Sequence, residues 1–145
     1  MDGSLSLDPR TGREEGPETV LELLNSPLRV IPFILAADQS VLLLTRLNID
    51  WVVAGPSVPA SLIRPPAGDP GREEPVQVWF VDGRSMDGML QLERSGHQSR
   101  ASDLLNGRAD FYPMTTRLGT LLVNKSRVRE TRLLASSQAT ARPAD

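Results

Sequence analysis

Two stretches of this chain repeat one short pattern. Leu23-Leu24-Asn25 is followed seven residues after the Asn by Pro32, and Leu104-Leu105-Asn106 is followed at the same distance by Pro113. On that alignment Glu22 meets Asp103, and Val30-Ile31 meets Phe111-Tyr112. After a two-residue shortening, Leu42-Leu43-Leu44 meets Leu121-Leu122-Val123, Thr45-Arg46 meets Asn124-Lys125, and Ile49 meets Val128. Leucine is common here, so the Leu matches weigh little. Asn and Pro at one spacing, followed by a matched basic residue, point to an internal duplication. The unit has a physical sense. A short helix drops two Leu into a core, and Asn is expected to end it in the left-handed conformation. A proline inside the next strand is expected at an edge or a bulge, because it has no N–H for a ladder. One unit of about 35 residues buries too little surface to stand alone, so two copies are expected to pack together.

Length and composition bound the rest. A chain of 145 residues permits one domain, or two small units sharing a core. Aromatic residues make up only 4% against 39% hydrophobic, so the core must be built mainly from Leu, Val and Ile. A net charge of −2 offers no general field for nucleic acid or an anionic membrane. Lys125 is the only Lys among the basic residues, and the Arg bias reads as compositional. The absence of Cys excludes disulfides and thiolate metal ligands, and a single His argues against a transition-metal site. Residues 1–16 have no apolar run of the secretory type. No stretch approaches the roughly 20 apolar residues of a membrane span. The expected location is the cytoplasm.

Along the chain, residues 1–16 read as a disordered leader and 17–54 as a degenerate repeat half. Pro17 opens a helical pattern over 18–24, and extended runs follow at 29–36, 41–44 and 49–53, the last two as one strand broken near Leu47-Asn48. Asp38-Gln39-Ser40 is the turn between runs. Residues 55–75 are rich in Pro and Gly and read as a loop or linker. Residues 76–134 read as the complete repeat half. A strand at 76–81 enters an Asp82-Gly83 tight turn. The return strand at 86–92 contains Gly88, which marks a bulge or a close backbone approach. A helix at 99–105, with Ser99 or Ser102 as its cap, and extended segments at 110–115 and 121–134 complete this half. Residues 135–145 read as a disordered tail. The expected fold class is mainly β (α+β), a small barrel or sandwich with two short helices and an internal pseudo-duplication.

The second half resembles a small uncharacterised bacterial β-rich domain of unknown function. The resemblance rests on the strand at 76–81, Asp82-Gly83-Arg84, Gly88, the helix over Arg100–Asn106 that ends in Ser102-Asp103-Leu104-Leu105-Asn106, Phe111-x-Pro113 and Val123-Asn124-Lys125. It covers residues 76–134, with the degenerate copy at 18–54. A looser likeness, carried by the hairpin at 76–92, is to Sm-like and SH3-like small barrels. The first resemblance implies a bacterial origin and brings no activity with it. In the second, the helix follows the hairpin instead of preceding the barrel.

No constellation for catalysis stands out. His97 lies in a polar loop without a partner. Asp82, Asp87 and Glu93 are spaced as turn and solvent-face residues. Ser99 and Ser102 lack a nucleophile context. No phosphate loop or dinucleotide fingerprint occurs, so neither an enzyme nor a cofactor is expected. Trp51 and Trp79 are expected in the core or between the halves. Basic charge concentrates in the second half, and Arg100, Lys125, Arg127 and Arg129 are the candidates for an anion or partner site. Residues 128–134 could also recruit a partner strand by β-addition. The leading expectation is a non-enzymatic protein-interaction or adaptor module, with an unidentified protein partner and homo-oligomers allowed. The alternative is a regulatory small barrel that binds an anion, a nucleotide or RNA through those Arg residues.

Overall fold

A computed structural model describes residues 1–7, 18–65, 71–93 and 100–134. The expected tail at 135–145, most of the expected leader, His97 and Ser99 lie outside them. The protein is mainly β, with two antiparallel sheets and three short α-helices. The first sheet has the order β1-β2-β3, from β1 (Gly3–Leu5), β2 (Val30–Leu35) and β3 (Val41–Thr45). The second has the order β4-β8-β7-β6-β5-β9, from β4 (Trp51–Val53), β5 (Arg72–Phe80), β6 (Ser85–Leu92), β7 (Phe111–Thr116), β8 (Gly119–Asn124) and β9 (Val128–Leu133). Its edge strands β4 and β9 do not pair with each other, so the sheet is not a closed barrel. The helices are α1 (Val20–Leu24), α2 (Ala60–Ile63) and α3 (Ala101–Leu105).

Several expectations shift. Gly3–Leu5, read as leader, pairs with β2 in the register Gly3↔Leu35 to Leu5↔Phe33. Part of the Pro/Gly-rich stretch is regular: Ala60–Ile63 forms a third helix, and β5 already begins at Arg72. A four-residue helix has too few positions to show a period. The single strand expected across 41–53 is two strands in different sheets, parted by a 3-10 turn at Arg46–Asn48. A second such turn, Lys125–Arg127, separates β8 from β9. The order helix, two-stranded hairpin, 3-10 turn, strand thus occurs twice, over α1-β2-β3-β4 and over α3-β7-β8-β9.

The caps also differ from expectation. Thr19 caps α1, accepting from the Glu22 N–H while the Glu22 carboxylate accepts from the Thr19 N–H. This capping box satisfies two donors that a helix start leaves open. Arg100, not a serine, precedes α3, and Ser102 lies inside it. Asn25 and Asn106 follow the helices with φ of −94° and −90°, so neither is left-handed.

The hairpin β7-β8 is the shared wall of two cores. Its side chains alternate between two faces, as a strand requires. Tyr112, Met114, Leu121 and Val123 join Val76, Val78, Phe80, Leu90, Leu92 and Ala101 in the larger core. Phe111 and Leu122 face the other way, into a smaller core with Val20, Leu23, Leu24 and Ile31 of the first half. At Gly88 the strand β6 passes close to β7. A Cβ there would sit 2.7 Å from the Thr115 carbonyl oxygen and 2.8 Å from Met114 Cγ, so the expected close approach is what this Gly provides. Gly83, with φ 94°, makes the β5-β6 turn.

The repeated Asn and Pro act together. Pro113 sits in a strand paired on both sides, not at an edge, but the β6-β7 ladder stops one residue away at Leu90↔Met114. Pro113 has no N–H to continue that ladder. Two residues back, on the same strand edge, Phe111 therefore keeps an N–H and a carbonyl to satisfy. Asn25 takes both: its Oδ1 accepts from the Phe111 N–H at 2.7 Å, and its Nδ2 donates to the Phe111 carbonyl at 3.1 Å. Pro32 stands likewise just past the end of the β1-β2 ladder. Asn106, the counterpart of Asn25, is exposed. Substituting Asn25→Ala leaves two part-buried backbone groups unpaired and is expected to cost about 1–3 kcal/mol, whereas Asn106→Ala should stay within about 0.5 kcal/mol. Denaturant unfolding of both variants checks the contrast, and equal losses would contradict it.

Candidate functional site

The four basic residues singled out from the sequence do not converge on one point. Arg100 pairs with Asp103 at the start of α3 at 3.4 Å and is otherwise exposed. Lys125 turns inward: its Nζ donates to the Leu104 carbonyl at 2.9 Å and the Gly107 carbonyl at 3.2 Å. Arg127 donates from Nε to Asp50 at 2.9 Å. The guanidinium of Arg129 lies 5.7 Å from the ring centre of Trp79, and that of Arg132 lies 5.3 Å from it. Arg132 also pairs with Glu130 at 2.6 Å, and this bond holds the Glu130 carboxyl below its ordinary range.

Lys125 and its counterpart Arg46 do the same job in their own halves. Arg46 is nearly buried. Its Nη1 donates to the Leu24 carbonyl at 2.9 Å and its Nε to the Leu28 carbonyl at 2.6 Å. Both basic side chains thus reach back from a 3-10 turn to the open carbonyls at the end of a five-residue helix, where a cation is favoured. Arg46 Nη1 also meets Asp110 of the second half at 2.8 Å. Desolvation pushes the Lys125 ammonium below its ordinary pKa, against the attraction of Asp110. The matched basic residue is therefore a helix clamp, which spacing alone does not reveal.

Asp50 is a second junction between the halves. It accepts from Arg127 and from Arg84, and Arg84 also pairs with Asp82 at 2.6 Å across the Asp82-Gly83 turn. The Arg84 guanidinium lies 4.5 Å from the Trp51 ring centre, and Trp51 in turn leans on Phe80 at 4.9 Å. Asn124, fully buried, donates to the Leu47 and Ile49 carbonyls and accepts from Ser126. Trp51 thus sits between the halves, as expected. Asp82 is held below the usual carboxyl range chiefly by the Arg84 backbone N–H. These residues join the two halves.

Two features remain open. The first is a shallow cleft of about 290 Å³ lined by Leu105, Tyr112, Lys125, Val128, Arg129, Glu130 and Thr131. It brings together Lys125 and Arg129, two of the four candidates. Beside it the Tyr112 hydroxyl is buried without a hydrogen-bond partner among the described residues, and burial pushes its phenol well above the ordinary value. The second is the outer face of β2-β3. The register Val30↔Thr45, Pro32↔Leu43 and Ile34↔Val41 places these residues on one face. Val30 is 41% exposed, Val41 62% and Leu43 67%, with Leu28 and Leu47 exposed nearby. The sequence signal was the run Val41-Leu42-Leu43-Leu44, which reads as a strand covered on both sides; one side is bare.

Among the described residues no group of three or more potential metal ligands comes together, and no helix is long and apolar enough to cross a membrane. No family model, curated protein or solved structure matches the chain.

Tyr112 is the only tyrosine, so its ionisation can be read directly by ultraviolet absorbance. With the folded pKa raised, the unfolded chain alone loses this proton above about pH 10, and its share of stability falls as pH rises through that range. Tyr112→Phe is expected to abolish this alkaline loss and to raise stability at neutral pH by on the order of 1 kcal/mol. A clear loss of stability at neutral pH would show that the hydroxyl has a partner.

Proposed function

We propose that the protein is a non-enzymatic interaction module, built by internal duplication and working in a bacterial cytoplasm. The observation that carries this reading is the bare apolar face of β2-β3. A strand such as β3, with Val41 and Leu43 more than 60% exposed and, among the described residues, only β2 beside it, is both an exposed apolar patch and an unpaired edge. Proteins cover or charge such edges, and a contiguous apolar face marks a contact surface. The equivalent face of the second half, Phe111 and Leu122, is already covered by α1. What the first half lacks is a cover of the same chemistry: an apolar helix face and a strand.

The test is site-specific photo-crosslinking in cells of the organism that makes the protein. A crosslinker at Leu43 is expected to give discrete protein adducts that a crosslinker at Asp87, exposed on β6, does not. Val41→Asp should suppress them. Position 43 giving no more adduct than position 87 would sink the proposal.

A second reading, a regulatory site for an anion, nucleotide or RNA, draws support from the cleft that Lys125, Arg129 and Tyr112 help to line. It asks Lys125 to hold a ligand while it clamps α3. Cyclic dinucleotides and RNA oligomers at saturating concentration should raise the melting temperature if this reading holds, and Arg129→Ala should remove the rise. No shift with any of them eliminates it.

A further inference from the structure

We infer that the partner of the bare β2-β3 face is a second copy of this chain, docked head to tail through its α3 and β9. This rests on the interaction-module reading and names its partner. The argument is that the chain already contains the contact once, between its own halves, and leaves both sides of the same contact open at its ends.

Besides the Arg46–Asp110 pair and the bonds of Asp50 and Asn124, three interactions make the internal contact. First, α1 covers Phe111 and Leu122 on the outer face of β7-β8. Second, Asn25, just after α1, holds the N–H and carbonyl of Phe111. Third, β4 pairs antiparallel with β8, in the register Trp51↔Val123 to Val53↔Leu121. The first half thus gives a helix, an Asn and a strand; the second half receives them on a hairpin.

The counterparts of each are in place, and among the described residues none of them makes the equivalent contact, although Leu104 and Leu105 also pack against the larger core. The hairpin β2-β3 has Val30 where β7-β8 has Phe111, and Leu43 where it has Leu122. The two hairpins share their register, since the Arg46 N–H bonds the Arg29 carbonyl as the Lys125 N–H bonds the Asp110 carbonyl. Val30 therefore turns outward the same N–H and carbonyl that Phe111 gives to Asn25, past the end of the β1-β2 ladder at Leu5↔Phe33. Among the described residues the outer edge of β3 is unpaired, as that of β8 would be without β4. On the other side, Asn106 is exposed and makes no side-chain hydrogen bond among the described residues. Leu104 and Leu105 of α3 are only partly buried, whereas Leu23 and Leu24 of α1 are buried. β9 is the edge of its sheet. A second chain that sets α3, Asn106 and β9 on the first chain's Val30, Leu43 and β3 repeats the internal contact. It covers the exposed leucine and valines with the chemistry that covers Phe111 and Leu122. The two surfaces differ, so the contact is heterologous and propagates into a ring or an open row.

Sedimentation velocity of the full chain over a wide concentration range tests this. The wild type is expected to associate as concentration rises. Leu43→Asp removes the receiving face and Asn106→Arg the docking face, and each should weaken association at least about tenfold while circular dichroism shows a folded protein. Because Leu43→Asp keeps the docking face and Asn106→Arg the receiving face, an equimolar mixture should form a one-to-one complex that grows no further. A wild type that stays monomeric throughout overturns the inference, and so does a mixture that recovers no complex. If position 43 then crosslinks in cells only to a different protein, the interaction module stands and the self-assembly falls.

Discussion

A five-residue helix cannot hold itself together. Its end leaves up to four carbonyls without a partner inside the helix, and isolated helices of such length do not persist in water. The structure answers this with a long basic side chain, Arg46 or Lys125, that returns from the 3-10 turn to the carbonyls of Leu24 or Leu104. The rest follows from this clamp. It fixes the helix against the hairpin that begins a few residues later. It sets where β3 and β8 end, because the strand must break into a tight turn for the side chain to reach back. That break then sends the next strand away, β4 to the partner hairpin and β9 to β5. Arg46 also reaches Asp110, so the same guanidinium that ends α1 ties the halves together.

The two halves use one plan to different ends. In the second, β5 and β6 extend the sheet and supply half of the larger core. In the first, the plan is cut short: β1 is three residues long and no strand corresponds to β5 among the described residues. Its β4 has no sheet of its own to join and pairs with β8 instead. The smaller core is thus made at the seam, from α1 and Ile31 on one side and Phe111 and Leu122 on the other. Burying about six aliphatic and aromatic side chains there contributes on the order of 1.5–3 kcal/mol each before entropy is counted, which is why the seam is a core rather than a contact between loops.

Much of this was legible in the sequence, and the limits have physical causes. Strands announce themselves through local runs of Val, Ile, Leu and Phe, while Gly83 marks a turn through its positive φ and Gly88 a close approach through its missing side chain. What spacing cannot show is where a long side chain goes. Lys125 and Arg127 look alike in a list of basic residues, yet one ends a helix and the other meets Asp50, 77 positions away in sequence. Nor does an apolar run show how many of its faces are covered. Leu122 and Leu43 occupy equivalent places in equivalent runs, and one is buried while the other is 67% exposed. The difference is made by a helix a hundred residues from the first and outside the reach of the second. The strand at Gly3–Leu5 escaped for a related reason: three residues cannot display a period, and only β2 gives them a conformation.

The spacing of Asn and Pro, first visible as a coincidence of letters, is a rule about ladders. A proline that ends a ladder leaves the next outward-facing residue, two positions back, with a donor and an acceptor and no strand to meet them. An asparagine side chain carries the matching acceptor and donor in one planar group. The Asn that answers Phe111 comes from the other half: Asn25, not Asn106. This is the decisive point about the motif. If each Asn served its own Pro, the pattern would describe a unit closed on itself, and the two halves could drift apart. Because Asn25 serves the other half's strand, the pattern describes a joint, with a giver and a receiver in each copy. The chain makes one such joint, from Asn25 to Phe111, while the positions that match them in the other half, Asn106 and Val30, stand exposed, so the residues that explain the seam also mark where the two halves differ at the surface.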